Sequence, residues 1–275
     1  MKSLTEELET LARGEGARLF GVAPVERFQG APPGHHPLDF LSEARCVVVI
    51  GIPIPRRVIN YHTLLQNSAI ITGDFRQEYL QRYFYQAAGY NIINQRLEQI
   101  ALSLTLFLED RGIPAIYFPP TYAGYKDIQD RVPDQFGIFS LRHAAVRAGL
   151  GEFGLNNVVV TPQYGPRVRF AALITAADLK ATPLMKEKLC RGRACMACIK
   201  QCATGALRTG EIPAIVAPGN LKPEETLTYS QQRSSNIEEV VWYDPVSRTD
   251  IPTCSANNIK AFCYGRCLRV CPVGN

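Results

Sequence analysis

Eight of the nine cysteines lie in the last third of the 275-residue chain, in two groups of four. The first group contains Cys190, Cys195, Cys198 and Cys202. The second group ends in a Cys-Pro dipeptide and contains Cys254, Cys263, Cys267 and Cys271. Thiolates hold 4Fe–4S clusters, and the bacterial two-cluster pattern C-x2-C-x2-C-x3-C-P also ends in Cys-Pro. The cysteine spacing therefore predicts two 4Fe–4S clusters.

In the two-cluster pattern, the last cysteine of each run binds the cluster that the other run encloses. One predicted cluster is therefore held by Cys190, Cys195, Cys198 and Cys271, and the other by Cys202, Cys254, Cys263 and Cys267. The spacing departs from the pattern by insertions at 190–195 and 263–267 and by Ala203 in place of the usual proline. The two insertions are compatible with longer loops between the cysteines, and Ala203 lacks the rigidity that a proline gives to the turn after Cys202.

Two zinc sites are the alternative interpretation, because paired C-x2-C motifs are the usual zinc pattern. Only Cys195 and Cys198 are spaced in that way here. The ending at Cys271 and Pro272 favours iron–sulfur clusters over zinc.

Composition and the N-terminal residues indicate a globular protein of a reducing compartment. Hydrophobic residues make up 46% of the chain and charged residues 20%, no apolar run approaches the ~20 residues that span a bilayer, and the acidic segment 1–9 is not a signal peptide. We predict a cytoplasmic protein with no membrane partner, whose clustered cysteines bind metal rather than form disulfides. The segment 184–208 holds six basic residues and one acid, and this charge is expected to offset negative clusters without nucleic acid.

Apolar periodicity predicts helices and strands that alternate before the cysteines. The predicted helices cover 3–13, 77–111 and 140–148, and the predicted strands cover 18–22, 46–52, 113–118, 158–160 and 168–174. The strand 46–52 is apolar throughout, which is typical of a sheet covered on both faces, and Cys46 is interpreted as a small buried hydrophobe. We predict one α/β domain over 1–183, followed over 184–275 by a small ferredoxin-like unit, here called the cluster module.

Three features upstream of the cysteines bear on ligand binding. The aromatic residues of the long helical pattern either pack in the core, which is the commoner outcome, or line a cofactor pocket: Tyr79, Tyr83, Phe84, Tyr85 and Tyr90. The segment 121–138 is a long polar and aromatic loop, and such loops are usually functional or disordered. The glycines of 149–154 suit a turn that approaches a ligand closely. They follow a helix rather than a strand, so they are not assigned to a dinucleotide.

Three stretches together resemble the epoxyqueuosine reductase and reductive dehalogenase superfamily. They are SLRHAAVRAGLGEFGLNN at 140–157, TPQYGPR at 161–167 and LITAADL at 173–179. In that family an Ala-Gly-Leu-Gly element, a tyrosine–glycine turn and a strand ending in threonine precede a two-cluster ferredoxin module. The resemblance covers roughly residues 40–275.

The resemblance implies a nitroreductase-like α/β domain that binds cobalamin, with two clusters that pass electrons to the cobalt for reduction of the substrate. The implied cofactor contacts are Tyr125, Gly149, Gly151 and Asn156. An aspartate upstream of the Ala-Gly-Leu-Gly element donates a proton in the family. Asp134 is the nearest candidate, although ungapped counting places Gln135 there, and burial near a corrin would raise the pKa of such an acid. Arg142 and His143 are alternative proton donors or cofactor contacts, or else an ordinary helix-start arginine and a core histidine.

The resemblance implies an oxidoreductase similar to a short epoxyqueuosine reductase. Its expected partners are a low-potential donor such as ferredoxin or flavodoxin and a small-molecule or modified-nucleoside substrate. Longer family members continue into a helical-repeat domain that helps to hold tRNA, and exported dehalogenases carry a twin-arginine leader. We expect this chain to have neither, so a tRNA substrate is in doubt. Two alternatives remain open: an electron carrier that reduces a partner protein or corrinoid without substrate chemistry of its own, and a redox-sensing or structural cluster protein.

Overall fold

The computed structural model describes residues 2–31, 34–120, 138–202, 205, 207–209, 247–249 and 265–274. The predictions at Tyr125, Asp134, Cys254 and Cys263 lie outside these residues. Among the described helices, none is long and apolar enough to cross a membrane.

The strands of the described residues form one four-stranded sheet and two sheets of two strands each. They are β1 (Leu19–Pro24), β2 (Cys46–Pro53), β3 (Ala115–Phe118), β4 (Glu152–Phe153), β5 (Val159–Val160), β6 (Val168–Thr175), β7 (Leu207–Thr209) and β8 (Ser247–Thr249). The large sheet has the order β1-β2-β6-β3, and each pairing in it is antiparallel. The predicted mixture of helices and strands is confirmed, and the antiparallel pairing is new information.

The α-helices of the described residues are α1 (Leu4–Gly14), α2 (Pro37–Phe40), α3 (Arg56–Ile59), α4 (Gly73–Leu80), α5 (Ile92–Glu109), α6 (Leu141–Arg147), α7 (Ala197–Lys200) and α8 (Arg266–Arg269). Helices α1 and α5 pack on one face of the large sheet, and α6 packs on the other. On β2, Val48 and Ile50 point into the core that includes α1 and α5, whereas Val47 and Val49 point into the core that includes α6. Alternation along a strand therefore buries both faces, as predicted from its continuous apolar run. Cys46 is buried in the first of these cores.

The predicted long helix is divided into three parts. A π-helix over Gln81–Asn91 lies between α4 and α5, and Gly112 follows α5 with the left-handed φ of 72° that a glycine cap provides. The aromatic residues consequently lie in different environments. Tyr85 is buried in the core, whereas Tyr79 and Tyr83 are exposed by 37% and 60%. The interpretation as core is therefore wrong for Tyr79 and Tyr83. Tyr83 lies in the π-helix, whose wider turn does not keep the 3.6-residue stripe, whereas Tyr79 lies in α4.

Candidate cluster site

Four cysteines from both runs line one cavity. They are Cys190, Cys195, Cys198 and Cys271, and Asn156 and Val273 lie in the same wall. In the described part of the chain, no three Cys, His, Asp or Glu side chains are grouped closely enough to bind a single metal ion. The four thiols surround a shared space and belong to segments distant in sequence. This is the set of four that the two-cluster pattern assigned to one cluster.

The two cysteine runs have matching local geometry. Helix α7 follows Met196, which has a left-handed φ of 52°, and helix α8 follows Gly265, which has a φ of 65°. In each helix the second residue is a cysteine, Cys198 or Cys267, and another cysteine follows four positions later, Cys202 or Cys271. A left-handed residue costs a non-glycine side chain roughly 1–2 kcal/mol. Its presence at Met196, between two candidate ligands, indicates a turn shaped for the site.

The hairpin β4–β5 holds the start of the first run. The Oε1 atom of Glu152 accepts hydrogen bonds from the backbone nitrogens of Leu189 and Cys190, each at 2.6 Å. The backbone N–H of Leu155 donates to the sulfur of Cys190 at 3.5 Å. The hairpin therefore positions both the backbone and the sulfur of this candidate ligand.

Three of the residues expected at the cofactor are described, namely Gly149, Gly151 and Asn156. Asn156 contacts the cluster module, whereas the two glycines are packed against the backbone of this chain. Asn156 is 5% exposed, lines the thiol cavity and donates through Nδ2 to the carbonyl of Cys267 at 3.5 Å. A Cβ on Gly149, whose φ is 71°, would collide with the Pro183 carbonyl, and one on Gly151 would collide with the Val160 carbonyl. Contacts within the chain therefore explain why these two positions are glycines.

Arg142 and His143 lie at the start of α6. Helix α6 begins after Ser140, whose hydroxyl accepts the His143 backbone N–H and lies 2.6 Å from His143 Nδ1. His143 is 3% exposed, and its ring centroid is 4.9 Å from that of Phe153. The Arg142 guanidinium donates to the Asn157 carbonyl at 2.6 Å. Both side chains are thus fixed beside the hairpin that contacts the cluster module.

Arg167 is a site residue to which the sequence analysis gave no role. It ends the turn 161–167, which is closed by reciprocal backbone hydrogen bonds of 2.9 Å between Thr161 and Gly165. From there its guanidinium donates to the carbonyls of Leu268 and Cys271 at 3.0 and 3.1 Å and also to that of Val273. In the sequence, Arg167 is the last residue of the TPQYGPR stretch and stands immediately before an apolar strand.

Burial favours the protonated form of two thiols of the cavity, those of Cys198 and Cys271. It raises the pKa of Cys198 to about 11, and the nearby Cys190 adds to the rise. Burial also raises the pKa of Cys271, against the opposing effects of the Val273 backbone N–H and the Arg167 guanidinium. Metal ligands must be thiolates, so binding at this cavity would release protons and would favour a group that carries compensating positive charge.

No family model matches the sequence. Among curated proteins, the chain is 31% identical to epoxyqueuosine reductase of Bacillus subtilis over 109 residues, which are 39% of this chain and 25% of that protein. It is 23% identical to epoxyqueuosine reductase of Synechocystis over 98% of this chain and 76% of that protein. It is 34% identical to a tetrachloroethene reductive dehalogenase of Desulfitobacterium hafniense over 86 residues, 30% of this chain and 15% of that protein. The two matches of more than 30% identity therefore span a quarter or less of those relatives.

A solved structure of epoxyqueuosine reductase shares the fold. The match covers 98% of this chain and 65% of that protein, with a TM-score of 0.56 and 19% identity. Because the likeness extends through both the sheet and the cysteine runs, it concerns the whole arrangement rather than one motif.

Proposed function

We propose that this chain is an iron–sulfur oxidoreductase of the superfamily of the epoxyqueuosine reductases and reductive dehalogenases, which it resembles in sequence. Two 4Fe–4S clusters in the cluster module would deliver electrons to a reducing site in the α/β domain. The physiological donor would be a low-potential protein such as ferredoxin or flavodoxin, and the reaction would take place in the cytoplasm.

The thiol cavity is the observation that carries this proposal. Cys271 lies 73 positions after Cys198, yet it lines the same cavity as the three cysteines of the first run. Such a meeting of a distant cysteine with a close-spaced trio is what crossed ligation of two clusters requires. The donor set of four thiols thus fits a 4Fe–4S cluster.

The repeated geometry of α7 and α8 supports a second cluster. Cys202 and Cys267 occupy positions equivalent to Cys271 and Cys198 in the other run. We propose that they hold the second cluster together with Cys254 and Cys263. The Asn156 side chain would then lie between the two clusters, because it lines one ligand cavity and bonds to a ligand residue of the other.

A corrinoid in the α/β domain is the finer part of the proposal and rests on the resemblance of residues 140–179 to the superfamily. Cobalamin, when bound, supplies a low-potential metal centre for substrate reduction. Asp134, Arg142 and His143 are the proposed proton donors or cofactor contacts, and Tyr125, Gly149, Gly151 and Asn156 are the proposed neighbours of the corrin. Since Ser140 contacts His143 at Nδ1, any proton delivered by this histidine would leave from Nε2. The substrate would be a small molecule or a modified nucleoside.

One observation favours the electron carrier as a second candidate. The predicted corrin neighbours Gly149 and Gly151 are packed against the backbone at Pro183 and Val160, so their missing side chains do not by themselves indicate a ligand. In a carrier, both clusters would be present and the α/β domain would serve only to hold them.

Titration with cobalamin under anaerobic conditions separates the two candidates. The oxidoreductase should give a saturable change in the visible spectrum of cobalamin at about one equivalent per chain. A protein that contains both clusters but leaves the cobalamin spectrum unchanged would contradict the corrinoid part and support the electron carrier.

A further inference from the structure

Arg167 lies in the α/β domain, but its guanidinium faces the cluster module. The side chain is 3% exposed. Its two terminal nitrogens donate to three backbone carbonyls of the segment 268–273, belonging to Leu268, Cys271 and Val273. Arg167 thus donates these hydrogen bonds to the backbone around candidate ligands and not to their side chains. A substitution of the Cys271 side chain would therefore leave these hydrogen bonds in place.

The three carbonyls lie at or beside proposed ligands of both clusters. Cys271 belongs to the first ligand set, and Leu268 immediately follows Cys267 of the second set. A guanidinium is planar and presents its donors in a fixed fork. Arg167 therefore sets the spacing between the end of helix α8 and the Cys-Pro turn that follows it.

The same side chain places positive charge next to the thiol cavity. The Arg167 guanidinium donates to the Cys271 carbonyl at 3.1 Å and so brings a positive charge to the backbone of this candidate ligand. Arg56 adds a second cation nearby and donates to the Gly274 carbonyl at 3.3 Å. Reduction adds an electron to a cluster, and cluster potentials depend on nearby charge and hydrogen bonds. A buried cation consequently favours the reduced state.

We infer that Arg167 is a positioning residue that raises the reduction potential of the cluster held by Cys190, Cys195, Cys198 and Cys271 and fixes that cluster relative to its neighbour. This inference rests on the proposed function. It assigns the turn 161–167 to the control of electron flow within the cluster module.

A redox titration followed by electron paramagnetic resonance tests the inference on anaerobically prepared protein. The variants are Arg167→Gln, which removes the charge, and Arg167→Lys, which keeps the charge without the fork. Arg45→Gln is the matched control, because Arg45 forms an exposed ion pair with Asp178. Arg45 lies at one end of β2, whereas Arg167 contacts Ile54 at the other end. Arg167→Gln should lower the midpoint potential of one cluster only, and Arg45→Gln should change neither.

Arg167→Lys should keep the midpoint potential close to the original value but alter the magnetic interaction between the two reduced clusters. If Arg167→Gln does not retain iron, the test rests on Arg167→Lys alone. An unaltered magnetic interaction in Arg167→Lys would then overturn the inference. Unchanged midpoint potentials in an iron-replete Arg167→Gln protein would also overturn it. An unsubstituted protein without clusters would instead overturn the proposed function, so the two failures are distinguishable.

Discussion

The carboxylate of Glu152 lies 2.6 Å from the backbone nitrogen of Cys190, so a residue of strand β4 holds the backbone of the first candidate cluster ligand. A second hydrogen bond of the same length joins this carboxylate to Leu189. The β4–β5 hairpin and the first cysteine run therefore belong to one site.

Replacement of Glu152 by alanine should loosen the first cysteine run. Two backbone donors lose a charged acceptor, and each such hydrogen bond is worth about 1.5–3 kcal/mol. We expect faster loss of iron on exposure to a chelator. Glu152→Gln should have a smaller effect, because an amide oxygen still accepts. The control is Glu187→Gln, since Glu187 is an exposed glutamate shortly before Cys190. Equal chelation rates for all variants would show that Glu152 does not hold this loop.

Gly149 should tolerate no side chain. Alanine there would have a left-handed φ and would meet the Pro183 carbonyl, so we expect a loss of about 2 kcal/mol or more in the free energy of unfolding. Gly14→Ala is the matched control, because nothing lies near its Cβ position at the end of α1. Chemical denaturation of both variants measures the difference. Comparable stability of the two would contradict the packing described here.

Loss of Cys271 and loss of Cys267 should affect different clusters. Cys271→Ser removes a ligand from the cavity of Cys190, whereas Cys267→Ser removes one from the other proposed set. Each variant should retain one well-defined paramagnetic centre, and the two remaining signals should differ. Identical spectra for the two variants would contradict the crossed assignment.

Acid should weaken the packing around His62. Burial lowers the pKa of His62 below 6.5, and the charges of Arg269 and Arg266 act in the same direction. The folded state thus binds this proton less readily than the unfolded state, so stability is lost as the pH falls below 6.5 toward the folded-state value. His62→Gln should reduce this loss. Urea unfolding at about pH 7.5 and about pH 5.5 compares the two proteins, and an identical pH dependence would contradict the assignment.

Local patterns predicted most of the sheet and its helices. The continuous apolar run at 46–52 identified a strand buried on both faces, and the ending of a helix before Gly112 followed from glycine's left-handed conformation. The π-helix at 81–91 was missed, because a wider helical turn leaves no distinct signal in apolar spacing. Strand order was also missed, since it depends on contacts between segments far apart in the chain.

Residue type and spacing predicted which cysteines form the site. The other residues of the site became apparent only from contacts between segments that are distant in the sequence. The four cysteines grouped by their spacing line one cavity, although ligation itself stays a prediction. Glu152 and Arg167 were not given a role, because their contacts lie 37 to 106 positions away. Asn156 stays a predicted corrin neighbour, and the structure adds that it lines the thiol cavity and contacts Cys267.

Iron and sulfide analysis of anaerobically purified protein tests the central claim most directly. Two 4Fe–4S clusters predict about eight irons and about eight sulfides per chain. Far fewer irons, or about two zinc ions in their place, would contradict the account of the cluster module.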